Sequence, residues 1–375
     1  MKKYYLPKFL LLLLTVLLLV RCTSDLSESP YSELSPVSMD VTQVPYPKLS
    51  DYKFFRGLLK QQVPSYGVLP YKPASDLFSD YAHKKRFVWM PEGTQATYNG
   101  AGNVLEFPVG TVLIKTFYFD NVQPTNITKT IETRLLIKVR EATATDSGWE
   151  PYNYIWNDKQ KEAYLDTDGN GIFVPLTFLE NGVEKSINYK VPADTECRTC
   201  HKLNPEQTSN GEIILPIGPK PQNLNYVYNY GSTSMNQLDK WISFGYLEDN
   251  IPANISSTID WKDTSQPLEL RARSYIDINC AHCHRVGGHC DYVNMRFDFA
   301  NTDMSEFGVC MPPLFNVDDL PYVINAGDSE HSELIVRISS TDQSVMMPII
   351  GRTIVHEEGV QLITDWINSL PQHCE

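Results

Sequence analysis

Two short runs constrain this 375-residue chain more than any other feature: Cys197-Arg198-Thr199-Cys200-His201 and Cys280-Ala281-His282-Cys283-His284. Both have the form C-x-x-C-H, the spacing of c-type haem attachment. Two thiols three positions apart each add to one vinyl group of the macrocycle. The histidine that follows is then held under the iron as proximal ligand. This reading assigns thioether roles to Cys197, Cys200, Cys280 and Cys283, proximal roles to His201 and His284, and two covalent haem c groups to the chain. A pair of C-x-x-C runs also suits one zinc held by four thiolates, or two local disulfides. Neither alternative requires a histidine directly after each second cysteine, and both runs have one.

A haem that carries electrons has both axial positions filled, and a methionine there raises its potential. Met347 stands before Pro348 in a loop ahead of an apolar-periodic C-terminal segment, and is read as the second ligand of the second haem. Proline restricts the residue before it to extended backbone, which fixes where that side chain points. Met235 precedes a helix-like segment in the same relative place. It is the candidate for the first haem, with an ordinary structural methionine as the alternative.

The N-terminus is read as an address. Lys2, Lys3 and Lys8 precede an apolar run from Phe9 to Val20, then Arg21 and Cys22. This run of 12 residues is too short to span a bilayer comfortably. The pattern is that of a lipoprotein signal, with Cys22 as the lipidated residue and export to the periplasm or cell surface as the expected localisation. With 25 Pro, 21 Tyr, 15 Phe and 6 Trp the composition favours turns and strands. Net charge is −13, and becomes −17 without the four cations Lys2, Lys3, Lys8 and Arg21. Such an acidic chain is not a nucleic-acid binder, and with one apolar run it is not a multi-span membrane protein.

The expected architecture is multidomain. Residues 1–22 are the signal and 23–50 a Ser/Pro/Thr-rich tether. Residues 51–191 form an all-β domain, a sandwich or barrel, with strand-like runs at Thr111–Phe119, Glu132–Arg140, Ile172–Leu179 and Ser186–Val191. Two small, mainly α, cytochrome c-like units follow, 192–247 and 268–375, joined by a linker at 248–267. Their closing helices are placed at Asn236–Tyr246 and Glu357–Leu370.

Of the remaining cysteines, Cys290 and Cys310 are read as a pair, closing a loop of about 20 residues worth roughly 3 kcal/mol. Cys374 is then free, or competes for Cys310. Asp166, Asp168 and Asn170 copy the opening of a calcium loop. The twelfth position is Thr177 and the flanks are strand-like, so the segment reads as an acidic hairpin turn, with calcium as the alternative.

Three stretches are familiar as a set: Leu69–Gly93 with Phe107–Tyr118, the run NCAHCHRVGG beginning at Asn279, and Gly327–Ile367. Together they resemble a bacterial family of exported two-haem c-type cytochromes with a β-rich N-terminal domain. The resemblance implies haem binding and electron transfer. It carries proximal roles onto His201 and His284, thioether roles onto the four motif cysteines and a distal role onto Met347. The expected function is electron transfer between an exported donor dehydrogenase and an acceptor cytochrome or oxidase chain, with membrane contact through the lipid anchor. The alternatives are a peroxidase-like di-haem enzyme with one open haem, or a substrate-binding β domain that uses the haems as its electron outlet. A carrier is favoured over a catalyst because a ligand is found for the second haem.

Overall fold

The computed structural model describes residues 34–204, 212–371 and 374. The signal, Cys22 and the start of the tether lie outside the described residues. Among the described residues, no helix is long and apolar enough to cross a membrane.

Eight strands form one antiparallel sheet: β1 (Leu69–Pro70), β2 (His83–Trp89), β3 (Val112–Val122), β4 (Ile127–Lys138), β5 (Trp149–Trp156), β6 (Ala163–Leu165), β7 (Ile172–Glu180) and β8 (Val183–Val191). The path runs β8-β7-β3-β4-β5-β6, with β2 and then β1 added along the first part of β3. Consecutive strands pair, as short connections dictate, except β6 and β7. The turn at Asn181-Gly182, both at positive φ, joins β7 to β8 in continuous register.

Alternation along β3 divides the sheet into two faces. Val112 and Ile114 turn to a core with Phe87, Leu135, Tyr154 and the 49–54 segment. Leu113, Phe117 and Phe119 turn the other way. The sheet is open: β6 and β8 end its main path and β1 ends the branch through β2, and the described residues form neither the expected sandwich nor a closed barrel. Chain from the C-terminal half covers the second face. Leu224, Leu238, Trp241 and Tyr246 share one core with Leu113, Leu136 and Val88.

Helices are short. They are α1 (Asp194–His201), α2 (Gln237–Phe244), α3 (Leu268–Ile276), α4 (Glu333–Ser339) and α5 (Glu357–Ser369), plus one turn at Pro221–Leu224. Asn236 caps α2 by accepting from the Leu238 amide, and Gly245 at φ 82° ends it. A separate pair of helical cytochrome-like domains is not evident. Eight-residue α1 and α2 are too short to bury a core alone, and α2 spends its apolar face on the sheet. Residues 261–374 do hold a core of their own, in which Ala272, Tyr275 and Ile276 of α3 meet Leu362, Ile363, Trp366 and Ile367 of α5.

The one disulfide among the described residues joins Cys310 to Cys374, closing 64 positions. This corrects the expected Cys290–Cys310 pair. Cys290 is a free, buried thiol, because its amide bonds to the Cys283 carbonyl at 3.0 Å and holds it against the second motif.

Candidate haem-attachment site

The first motif is the body of α1. Glu196 accepts from the Ala193 amide at 2.8 Å and pairs with Lys190, fixing the start of the helix. Asp194 and Glu196 stand in its first turn, Arg198 and His201 in its last, which suits the helix dipole. Cys197 and Cys200, three apart, fall on one side.

His201 ends the helix and is tied to Leu215 twice. Its Nδ1 donates to the Leu215 carbonyl at 2.7 Å, and the Leu215 amide donates to the His201 carbonyl at 2.8 Å. Nδ1 thus carries the proton, and Nε2 presents its lone pair. Burial holds the ring neutral, pushing its pKa down to about 4. A neutral, oriented imidazole is what metal ligation requires.

The second motif sits where α3 widens into a π-helical turn, Asp277–Ala281. Asp277 anchors that turn, accepting from Lys220 at 3.2 Å, Gln222 at 3.1 Å and the Phe299 amide at 3.1 Å. Asn279 accepts from the Phe78 amide at 2.8 Å, tying the turn to the sheet region. His284 is 7% exposed, and its buried Nδ1 has no hydrogen-bond partner.

The structure brings the two motifs together. The Cys200 and Cys283 sulfurs and a His282 nitrogen lie within 4.8 Å of one another. The Cys283 thiol also reaches the Thr199 carbonyl at 3.6 Å. Sequence reasoning missed this contact, although Gly287-Gly288 signals it. Gly287 has φ +75°, and a Cβ there would stand 2.4 Å from the Asn204 carbonyl oxygen, just past the first motif. A Cβ on Gly288 would meet the Cys283 carbonyl oxygen at 2.3 Å.

Two cavities flank the junction. One, of about 180 Å³, is lined by Cys197, Cys200 and His201 together with Leu113, Phe117 and Tyr189 of the sheet. The other, of about 400 Å³, is lined by Cys283, His284, Cys290, Phe297 and Leu334. Met347, Pro348 and His282 border both. Neighbouring Met346 is 1% exposed and accepts from the Gln343 amide at 3.0 Å. Arg352, bonded to the Met347 carbonyl at 2.9 Å, holds the loop. Asp80 accepts the Thr353 and Ile354 amides and fastens the loop to the sheet region.

Met235 is placed elsewhere. It is 37% exposed on a two-stranded ribbon opposite Tyr228 and borders neither cavity. That corrects its expected place beside the first motif: the ribbon turns it outward. Asp166 accepts from the Asp168 and Gly169 amides at 3.2 Å, a turn between β6 and β7. Among the described residues, Cys200, His282 and Cys283 are the one group of three Cys, His, Asp or Glu ligands close enough to share a metal. Asp166 and Asp168, with Asn170 beside them, form no such group.

The donor set fits covalent haem. All four motif thiols are unbridged, one imidazole is aligned by a backbone carbonyl, and the cavity walls are largely apolar. Comparison with family models, with curated proteins and with solved structures returned no match for this chain.

Proposed function

We propose that the protein is an exported two-haem c-type cytochrome that carries electrons. The observation that supports this reading is the meeting of two C-x-x-C-H motifs, 83 positions apart, at Cys200 and Cys283 beside two cavities. Bound haem supplies one-electron chemistry at iron. Cys197, Cys200, Cys280 and Cys283 would hold the two groups, with His201 and His284 as proximal ligands and Met347 as the distal ligand of the second. Leu215 orients His201 by accepting its Nδ1 proton. Cys200 and Cys283, as neighbours, would hold the two groups close to each other, which suits one-electron chemistry shared between them. In this reading residues 268–375 are a cytochrome c-like unit, and the first attachment segment is built onto the sheet. Cys22 anchors the chain to a bacterial membrane by lipid, and the redox partners are a donor dehydrogenase and an acceptor cytochrome or oxidase chain.

A second reading keeps the first haem open on its distal side, as in a peroxidase-like enzyme. The position of Met235, away from both cavities, favours it. Carbon monoxide separates the two, because it binds readily only to an open ferrous haem. An unchanged spectrum of the reduced protein under carbon monoxide supports the carrier. A shift in half of the haem absorption supports the enzyme and overturns a carrier with two closed sites.

A further inference from the structure

Three neighbouring strands set three cations side by side. Arg86 of β2 is opposite Lys115 of β3, and Lys115 is opposite Arg134 of β4. Like charges directly across a sheet destabilise it. Lys84, two positions before Arg86 on the same face, adds a fourth.

Their carboxylate partners are too few. Glu132, fully buried, pairs with Arg134 at 2.6 Å. Asp76 pairs with Arg86 at 3.2 Å and is shared with Lys72 at 3.0 Å. Lys84 donates to the Leu77 carbonyl at 2.9 Å. Among the described residues Lys115 has no carboxylate within 4 Å and no hydrogen-bond acceptor. Its contact is the Phe117 ring, 5.0 Å from Nζ. Yet Lys115 borders the first cavity, beside Cys197, Cys200 and His201. Burial and the three flanking cations push its pKa well down. With no anion beside it this half-buried amine is held toward its neutral form, and an anion at the site would favour the ammonium.

We propose that Lys115 is the counter-charge for the carboxylates of the haem attached at Cys197 and Cys200, and that the sheet serves as the anion-binding wall of the first cavity. The inference rests on the two-haem reading and gives the β region a role in it. A haem carries two propionates, and an acidic chain must supply positive charge locally to bury either of them. Three other cations border the same cavity: Arg134 is paired with Glu132, Lys190 with Glu196, and the Arg352 guanidinium is spent on the Met347, Ser340 and Ile354 carbonyls, which leaves Lys115 as the cation without a polar partner. A fixed cation beside a propionate favours the ferrous state, so Lys115 raises the potential of the first haem.

The test uses the full-length, haem-loaded chain with Lys115→Gln and Lys115→Arg. The first haem is identified as the one missing from a Cys197→Ala/Cys200→Ala chain. Potentiometric titration of Lys115→Gln is expected to lower the midpoint potential of the first haem and leave the second in place. Resonance Raman is expected to move the propionate bending band of one haem only. Lys115→Arg restores both properties, which a merely structural role would not explain. A haem-loaded Lys115→Gln chain with neither change overturns this inference and leaves the functional reading standing. Lack of covalent haem in the unsubstituted chain overturns both.

Discussion

Adjacent methionines make the sharpest contrast at the residue scale. Met346 is packed away and hydrogen-bonded to Gln343, whereas Met347 borders both cavities. Met347→Ala is expected to abolish the weak sulfur-to-iron band of one haem, lower its potential and admit carbon monoxide. Met346→Ala is expected to keep the band and lose about 2–5 kcal/mol of stability through the cavity it leaves. Absorption spectra and denaturant melts read the two effects, and a band that vanishes only in Met346→Ala would reverse the assignment. His356 gives a pH prediction. It stacks on Phe78 with ring centroids 4.0 Å apart and lies 2.9 Å from the Tyr275 hydroxyl. Burial pushes its pKa down from 6.5 to about 4, against the pull of Glu358. The unfolded chain therefore takes up the proton first. The contribution is complete above about pH 6.5 and is lost as pH falls toward 4, by up to about 3 kcal/mol. His356→Gln should flatten the stability curve in that window; an unchanged slope counts against it. The two C-x-x-C-H runs were legible in the sequence as motifs, because their spacing is local; that the fold brings Cys200 and Cys283 together was not. Lys115 was not, since only strand register sets it between Arg86 and Arg134.

Among the elements, the strands were the most readable. The runs at Thr111–Phe119 and Glu132–Arg140 fall on β3 and β4, with ends displaced by a few residues. Their β-branched and aromatic residues alternate between two buried faces, a signal that survives in the sequence. The closing helix at Glu357 was legible for the same reason, with Ile363 and Ile367 four apart and both buried. Sheet closure was not legible, because alternation reports that both faces are covered and not by what. Helices and loops from the later chain take the place of an expected second sheet. The disulfide also lay beyond the sequence. Three cysteines allow three pairings, and the choice follows from α5 returning the C-terminus to Ile324 and Ala326 beside Cys310. Cys374→Ser removes a cross-link over 64 positions. The chain-entropy relation sets the loss at about 4 kcal/mol. A denaturant melt is expected to show it, with haem content unchanged. If Cys290→Ser produces that loss and Cys374→Ser does not, the pairing is wrong.

Across the whole molecule, charge and the joining of the motifs decide the behaviour. With a net charge of −17 without Lys2, Lys3, Lys8 and Arg21, the exported chain is expected to accept electrons faster from a cationic partner than from an anionic one. Stopped-flow reduction should slow as salt rises, since exposed charges are screened within about 10 Å at 0.1 M ionic strength. A rate independent of ionic strength with a cationic partner would remove steering from the account. The placement of one C-x-x-C-H motif on a sheet and the other in a helical core was hidden from sequence, because contacts such as Asn204 with Gly287 link residues 83 positions apart through backbone. Everything functional rests on covalent haem, since Cys200, His282 and Cys283 are also a group that a thiophilic metal such as zinc would accept. The direct measurement is a haem-stained denaturing gel of the purified protein, paired with intact mass spectrometry. The account predicts that the unfolded chain stains and carries the mass of two haems, falling to one in Cys197→Ala/Cys200→Ala and to one in Cys280→Ala/Cys283→Ala. An unstained band at the mass of the bare chain, or zinc released in place of haem iron, would contradict it.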